Sequence, residues 1–307
     1  MHIVRAAFAV VLVAVVTSGC RNRPDEGTEE ATIDVGGRER SYLYRLPPGH
    51  GADPTATWPL AILLHGQLGR GVNMEDQAHA SSVADREGFV VIYPDGVDRS
   101  WNDYRGVTKA SEQKVDDVAF IRALVDRFVA EREVDPKRVY VAGMSNGGMM
   151  SFRIACELGD RVAAIGAVGA LMPANGADTC APARPVSAMV IAGTEDPIVP
   201  YGGGTVARDL GEVLSGDATR ARWVTLNACE PADPPRTIDG RDDGTRVVET
   251  RYPRCLEGSE VVFHAVEGGG HSWPSGDGAF PEIVTGKTSL DVDATEELFR
   301  FFARHTR

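Results

Sequence analysis

The chain has 307 residues, of which 43% are hydrophobic, 25% charged and 7% aromatic, and its formal charge is -12 from 32 Lys+Arg against 44 Asp+Glu. That composition excludes a disordered tail, a fibrous repeat and a multi-span membrane protein, and leaves one large globular domain or two small ones. The acidic balance, with no run of Lys or Arg, argues against nucleic acid or an anionic membrane surface as partner.

The chain opens on an address. Arg5 supplies an early positive charge and Ala6 to Val16 is unbroken apolar sequence, far short of the roughly twenty residues of a spanning helix. A basic start and a short apolar run read as a secretory signal over residues 1–19. The small residues Thr17-Ser18-Gly19 before Cys20 resemble a bacterial lipoprotein box, which makes Cys20 a lipidation candidate and a lipid anchor the one expected contact with a membrane. The box departs from the usual pattern in having Thr17 where leucine is common, and plain signal cleavage is the competing reading. Residues 20–31 are polar, with Pro24 and Gly27, and are expected to form a flexible spacer ahead of a domain over residues 32–307.

Beyond the spacer, Thr32 to Leu46 reads as a hairpin turning at Gly36-Gly37. Five short apolar runs follow: Leu60–Leu64, Phe89–Tyr93, Arg138–Ala142, Val186–Ala192 and Val261–Val266. Uninterrupted apolar runs fit strands buried on both faces. Helical periodicity lies between them, at about Glu112–Glu131, Asn146–Leu158, Ala218–Cys229 and Leu290–Arg304. The alternation predicts one α/β domain, a mostly parallel central sheet flanked by helices. Cys156, Cys180, Cys229 and Cys255 suggest two disulfides in an exported protein. Three pairings are possible, and proximity in sequence favours Cys156–Cys180 and Cys229–Cys255. No Cys-x-x-Cys or paired histidine spacing points to a metal.

In such sheets chemistry gathers where strands end. Gly143-Met144-Ser145-Asn146-Gly147 matches Gly-x-Ser-x-Gly between a strand and a helix, the context in which a tight turn lifts a serine clear of the sheet. Outside that context the pattern is weak, since glycine and serine are common. A serine hydroxyl needs a base, and the base an orienting acid. Downstream, Asp196 in Gly193-Thr194-Glu195-Asp196-Pro197 follows one strand, with Glu195 as the competing carboxylate. His271 in Gly268-Gly269-Gly270-His271 follows the last strand. His264 lies within a strand and His305 at the terminus, and both read as structural. For an oxyanion, donors are expected from the Asn146 N–H and the Gln67 N–H, with Leu68 the alternative to Gln67. His65 reads as a brace for that loop. Trp101, Met144, Tyr201 and Trp273 fall beside these segments and are the candidate substrate contacts, the three aromatics as a wall for an acyl group or as loop packing. Trp58 and Trp223 read as core. Asp116 and Asp117 read as residues that cap a helix or favour its dipole.

Taken together, Leu64-His65-Gly66-Gln67, Trp101-Asn102, Val115 to Phe120, Asp135 to Gly148 and Gly269-Gly270-His271-Ser272-Trp273-Pro274 resemble the polyhydroxybutyrate depolymerase/feruloyl esterase family of secreted α/β-hydrolases, over roughly Thr32 to Arg307. The resemblance implies an α/β-hydrolase fold and a serine esterase without cofactor, its triad falling on Ser145, Asp196 and His271. The expected substrates are feruloyl or acetyl esters of polysaccharides, or polyhydroxyalkanoate-type esters. One departure stands out: many relatives carry cysteines just after the Trp-Asn segment, where this chain has Asp103-Tyr104-Arg105-Gly106, so the entrance near Trp101 is expected to differ in shape. A serine peptidase on the same fold would call for a cap or propeller domain, for which the length leaves no room. A non-catalytic surface lipoprotein would be signalled by a missing triad member, and none is missing.

Overall fold

The computed structural model describes residues 23–278 and 280–307; the signal segment and Cys20 lie outside the described residues. In chain order the elements are β1 (Thr28–Val35), β2 (Arg38–Arg45), β3 (Trp58–Leu64), α1 (Gly71–Ala78), α2 (Ala80–Glu87), β4 (Val90–Pro94), α3 (Lys109–Glu112), α4 (Asp117–Glu131), β5 (Val134–Met144), α5 (Asn146–Glu157), β6 (Ala164–Val168), α6 (Ala174–Ala177), β7 (Ser187–Gly193), β8 (Gly204–Thr205), β9 (Glu212–Val213), α7 (Gly216–Leu226), β10 (Arg236–Ile238), β11 (Arg246–Tyr252), β12 (Val261–Glu267), α8 (Glu282–Thr285) and α9 (Ala294–Ala303). Among the described residues the main sheet has ten strands in the order β1-β2-β4-β3-β5-β6-β7-β12-β11-β10. From β4 to β12 every neighbouring pair is parallel. An antiparallel pair closes each margin, β1 with β2 and β11 with β10.

The apolar runs became strands because both faces are covered. Leu60, Ile62 and Leu64 of β3 and Val139 and Val141 of β5 pack against α4, α5 and α7, while Ala61, Leu63, Tyr140 and Ala142 meet α1, α2 and α9. Burying a leucine or isoleucine side chain contributes about 1.5–3 kcal/mol, so the pleat's two-residue period fixes the register of each strand.

The sequence reading places no element at α1, α2, β10 or β11, and it departs from the structure at three further places with a clear physical cause. The spacer gives way to structure early: β1 begins at Thr28, pairing Thr28 with Arg45, and the Thr28 hydroxyl donates to buried Glu75. Charged Glu29 and Glu30 face outward on an edge strand, which is why the segment reads as polar linker. The helix expected over Glu112–Glu131 starts later, at Asp117: the short α3 ends at Glu112, Lys114 adopts φ +51°, and Asp116 caps α4, its side chain accepting from the Ala119 N–H at 2.8 Å. Strand β6 escaped notice because it is made of small residues. A Cβ on Gly166 would sit 2.3 Å from Leu298 Cδ2 and 2.9 Å from Ala142 Cβ, so α9 and β5 leave no room for the bulk that marks a buried strand.

The disulfides are Cys156–Cys180 and Cys229–Cys255, closing separations of 24 and 26 residues. The first ties α5, the helix that follows Ser145, to the segment after α6. Loops of this size give about 3 kcal/mol each in the chain-entropy model. Replacing both cysteines of the Cys156–Cys180 pair by alanine is expected to lower unfolding free energy by about that amount, read from the urea midpoint; an unchanged midpoint would show that the bridge adds nothing.

Candidate active site

Strand β5 ends at Met144, and Ser145 takes φ +53°, ψ -118° before α5 begins at Asn146. A non-glycine residue there is strained and holds the conformation only because its surroundings dictate it. The Ser145 N–H donates to Val168 O at 2.8 Å and its carbonyl accepts from Met149 N–H at 2.8 Å. The flanking glycines are set by contact. A Cβ on Gly147 would fall 2.2 Å from Leu64 O, and one on Gly143 would fall 2.5 Å from the Gly147 carbonyl carbon. Helix α5 can therefore press directly on β3 and β5, and the serine stands at the strand ends.

Asp196 follows β7 and His271 follows β12. His271 Nδ1 lies 2.7 Å from Asp196 Oδ2, and the two side chains are 9% and 2% exposed. Asp196 Oδ1 accepts from the N–H groups of Ile198 (2.7 Å) and Val199 (2.8 Å). Glu195, the competing carboxylate, is exposed. With the carboxylate on Nδ1, that nitrogen carries the proton and Nε2 is left as acceptor. The histidine is fixed from behind: its N–H donates to Thr285 O and the preceding Gly270 N–H to Lys287 O. Gly169, next to the carbonyl that holds Ser145, sits between the His271 and Met144 side chains; a Cβ on it would lie 3.4 Å from His271 Nδ1 and 2.7 Å from Met144 Cε. Met144 is buried beneath that junction.

The loop after β3 lies over the serine, with the position of a Gly66 Cβ 3.5 Å from Ser145 Cβ. The Leu68 N–H donates to Arg99 O at 2.8 Å, so of the two candidate donors it is Leu68 that is committed elsewhere. Asn146 is the first residue of α5, so its N–H has no carbonyl one turn back in the helix and sits at the positive end of the helix dipole. His65 is the brace: Nδ1 is 2.7 Å from Gly66 O, Nε2 accepts from the Gly96 N–H at 2.9 Å, and burial pushes its pKa down to about 4.

Of the two readings of the aromatics, burial favours loop packing. Trp101 is 0% and Trp273 2% exposed, because each indole N–H finds its partner inside the protein, Trp101 on His65 O (2.9 Å) and Trp273 on Thr295 Oγ1 (3.0 Å). Tyr201 is half-buried, edge-on to Phe263 and flush against Gly216. These rings pack loops. The exposed apolar side chains near the site are others: Leu68 in the loop over Ser145, and Phe280, Ile283 and Val284 around α8, whose Thr285 carbonyl holds His271.

The other histidines are engaged elsewhere. His264 Nε2 is 3.0 Å from Glu249, and His305 Nε2 is 3.4 Å from Glu260. Glu249, His264 and Glu297 have donor atoms within 4.8 Å of one another, a grouping across β11, β12 and α9 that no sequence spacing signals. Its charges are met within the chain, Arg236 lying 3.5 Å from Glu249 and Arg300 3.1 Å from Glu297. Asp117 is also more than a helix cap. It is fully buried, paired with Arg40 at 2.8 Å, and accepts from the Asn102 N–H.

A mostly parallel sheet with a strained serine turn, and an Asp–His pair at neighbouring strand ends, defines an α/β-hydrolase. Residues 40–197 match the family model described as esterase PHB depolymerase. A protein named "Putative esterase NocK", from Nocardia uniformis subsp. tsuyamanensis, is 30% identical over 90% of this chain and 83% of its own. Feruloyl esterase B of Piromyces equi is 29% identical over 78% of this chain, which spans 43% of that protein. Among solved structures, an acetyl xylan esterase from Aspergillus awamori superimposes with a TM-score of 0.59 at 12% identity, covering 90% of this chain and 99% of that one. The chain belongs to the esterase PHB depolymerase family and is a carboxylic ester hydrolase.

Proposed function

We propose that this protein is an exported serine esterase that acts through an acyl-enzyme on feruloyl or acetyl esters of polysaccharides, or on polyhydroxyalkanoate-type esters. The observation that carries the reading is the 2.7 Å contact of His271 Nδ1 with Asp196, beside a serine raised on a strained turn. In this mechanism Ser145 Oγ attacks the ester carbonyl as His271 Nε2 takes its proton, and Asp196 stabilises the imidazolium. The N–H groups of Asn146 and Gln67 receive the oxyanion, each such donor contributing about 2.7–4 kcal/mol to the transition state. His271 then protonates the departing alkoxide, and water, deprotonated by His271, releases the acid and regenerates the serine.

Support for the substrate class comes from relatives named feruloyl esterase in Piromyces equi and Emericella nidulans. Export is supported by the two disulfides, which persist in oxidising compartments, and by the signal and lipoprotein pattern ending at Cys20. A protein anchored or released outside the cell meets esters too large to import. The test is hydrolysis of p-nitrophenyl acetate and butyrate, methyl ferulate, acetylated xylan and polyhydroxybutyrate by protein lacking residues 1–19, with fluorophosphonate labelling in parallel. We expect labelling confined to Ser145 and turnover of at least one ester, whose acyl group chooses between polysaccharide and polyester. Folded protein that neither labels nor turns over any ester would sink the proposal.

A further inference from the structure

Directly behind the serine turn lies a buried charge that the steps above leave unused. Asn146 is 1% exposed and its side chain is fully committed. Its Oδ1 accepts from the Trp101 N–H at 2.8 Å, and its Nδ2 donates to Trp101 O at 3.1 Å and to Asp103 Oδ2 at 2.6 Å. Asp103 is itself 0% exposed. The same Oδ2 accepts from Arg105 Nε at 2.9 Å and Arg105 Nη2 at 2.7 Å, so three donors converge on one oxygen. Arg105 Nη1 reaches out of the cluster to Leu210 O at 2.7 Å, in the segment between β8 and β9. Just past β9, the Leu214 N–H donates to Met172 O at 2.9 Å, in the loop between β6 and α6. Gly211 lets the β8–β9 segment approach closely, since a Cβ there would lie 2.9 Å from Arg105 Cβ.

Two physical consequences follow for the Asn146 N–H. A carboxylate buried this close to a donor meant for an oxyanion opposes the negative charge that develops there, and in a dry site the repulsion is strong. Arg105 cancels it with a fork that no other side chain supplies. The clamp also fixes the Asn146 side chain from below, so the N–H on the same residue cannot turn away from the site.

We infer that Arg105 and Asp103 form a positioning pair: the clamp holds Asn146 in register and keeps the floor of the oxyanion site electrically neutral, so that kcat depends on an ion pair that never touches substrate. Through Leu210 the same clamp couples the β8–β9 segment to the serine turn. The inference rests on the serine mechanism proposed above.

The test is steady-state kinetics on the preferred ester for Arg105→Met, Arg105→Lys and the double variant Asp103→Asn/Arg105→Met, with active sites counted by fluorophosphonate titration and Ser145→Ala alongside. Arg105→Met leaves the carboxylate unpaired and is expected to lower kcat about ten- to a hundredfold with KM within about threefold, less than outright loss of an oxyanion donor. Arg105→Lys keeps the charge and loses the fork, and falls between. The double variant removes both charges and recovers most of the loss. A merely structural pair would lower folded yield and thermal midpoint, leave kcat per titrated site unchanged, and gain nothing from the second substitution. Should Arg105→Met fail to fold, Arg105→Lys and the double variant still decide. Unchanged kcat in Arg105→Lys, or a double variant as slow as the worse single, overturns the assignment. If Ser145→Ala is inactive while the Arg105 variants match the wild type, the pair has no such role and the serine mechanism stands. If Ser145→Ala keeps its activity, both fall.

Discussion

Ser145→Ala is expected to lower kcat about a million-fold, since removal of the nucleophile in a triad costs as much as removal of the whole triad. The reasoning is local. Ser145 is held at φ +53° by its N–H to Val168 O and its carbonyl to Met149 N–H, contacts made by its backbone alone. Alanine keeps all of them, so the variant should fold and bind as before, with KM close to that of the wild type. The residual rate would be set by the donors around the site and by traces of wild-type enzyme, which makes fluorophosphonate titration the necessary control. Turnover within tenfold of the wild type would sink the assignment of the nucleophile.

Asp196→Asn should cost about 10⁴ in kcat without disturbing the fold. Asp196 Oδ1 accepts two backbone N–H groups, from Ile198 and Val199. The amide oxygen of asparagine must stay there to satisfy them, which turns the NH₂ toward His271 Nδ1. That nitrogen then has to accept, so the ring proton moves to Nε2. Histidine in that form points a proton at the serine and cannot take one from it. The effect should appear in kcat, with thermal stability little changed. A variant within tenfold of the wild-type kcat would mean that Asp196 does not set the tautomer, and would turn attention to another carboxylate.

Much of this site was legible because its geometry is local in sequence. Gly143 to Gly147 declares a strand, a turn and a helix within a few residues, and the contacts of those glycines with Leu64 and with each other explain why no other residue serves. Asp196 and His271 were legible for a related reason, each standing one turn beyond an apolar run. Residue type could not choose between an aromatic wall and loop packing, because it does not report exposure; burial favours packing for Trp101 and Trp273. Trp101 and Trp273 do lie beside the segments of Ser145 and His271, yet each has an internal acceptor for its indole N–H, and a satisfied tryptophan is free to be core. The Arg40–Asp117 and Arg105–Leu210 contacts were invisible for another reason, being made across 77 and 105 residues of chain. Asp103 and Arg105 are neighbours in sequence, but nothing in an Asp-x-Arg spacing says that both are buried or that Asn146 completes the set. Strand β6 was missed because close packing demanded small residues, the opposite of the usual signature.

The two bridges have a consequence for how the molecule is made. The four cysteines of the described residues join in sequence order, Cys156 with Cys180 and Cys229 with Cys255. On the proposed export route, a chain threaded N-terminus first into an oxidising compartment presents Cys180 to Cys156 before Cys229 or Cys255 has emerged, and Cys229 is then left to Cys255. Of three conceivable pairings, vectorial emergence offers the native one first, so oxidative folding needs no reshuffling, the step that otherwise takes seconds to hours. Refolding the whole reduced chain from denaturant gives up that ordering, and the scrambled pairings become competitors only there.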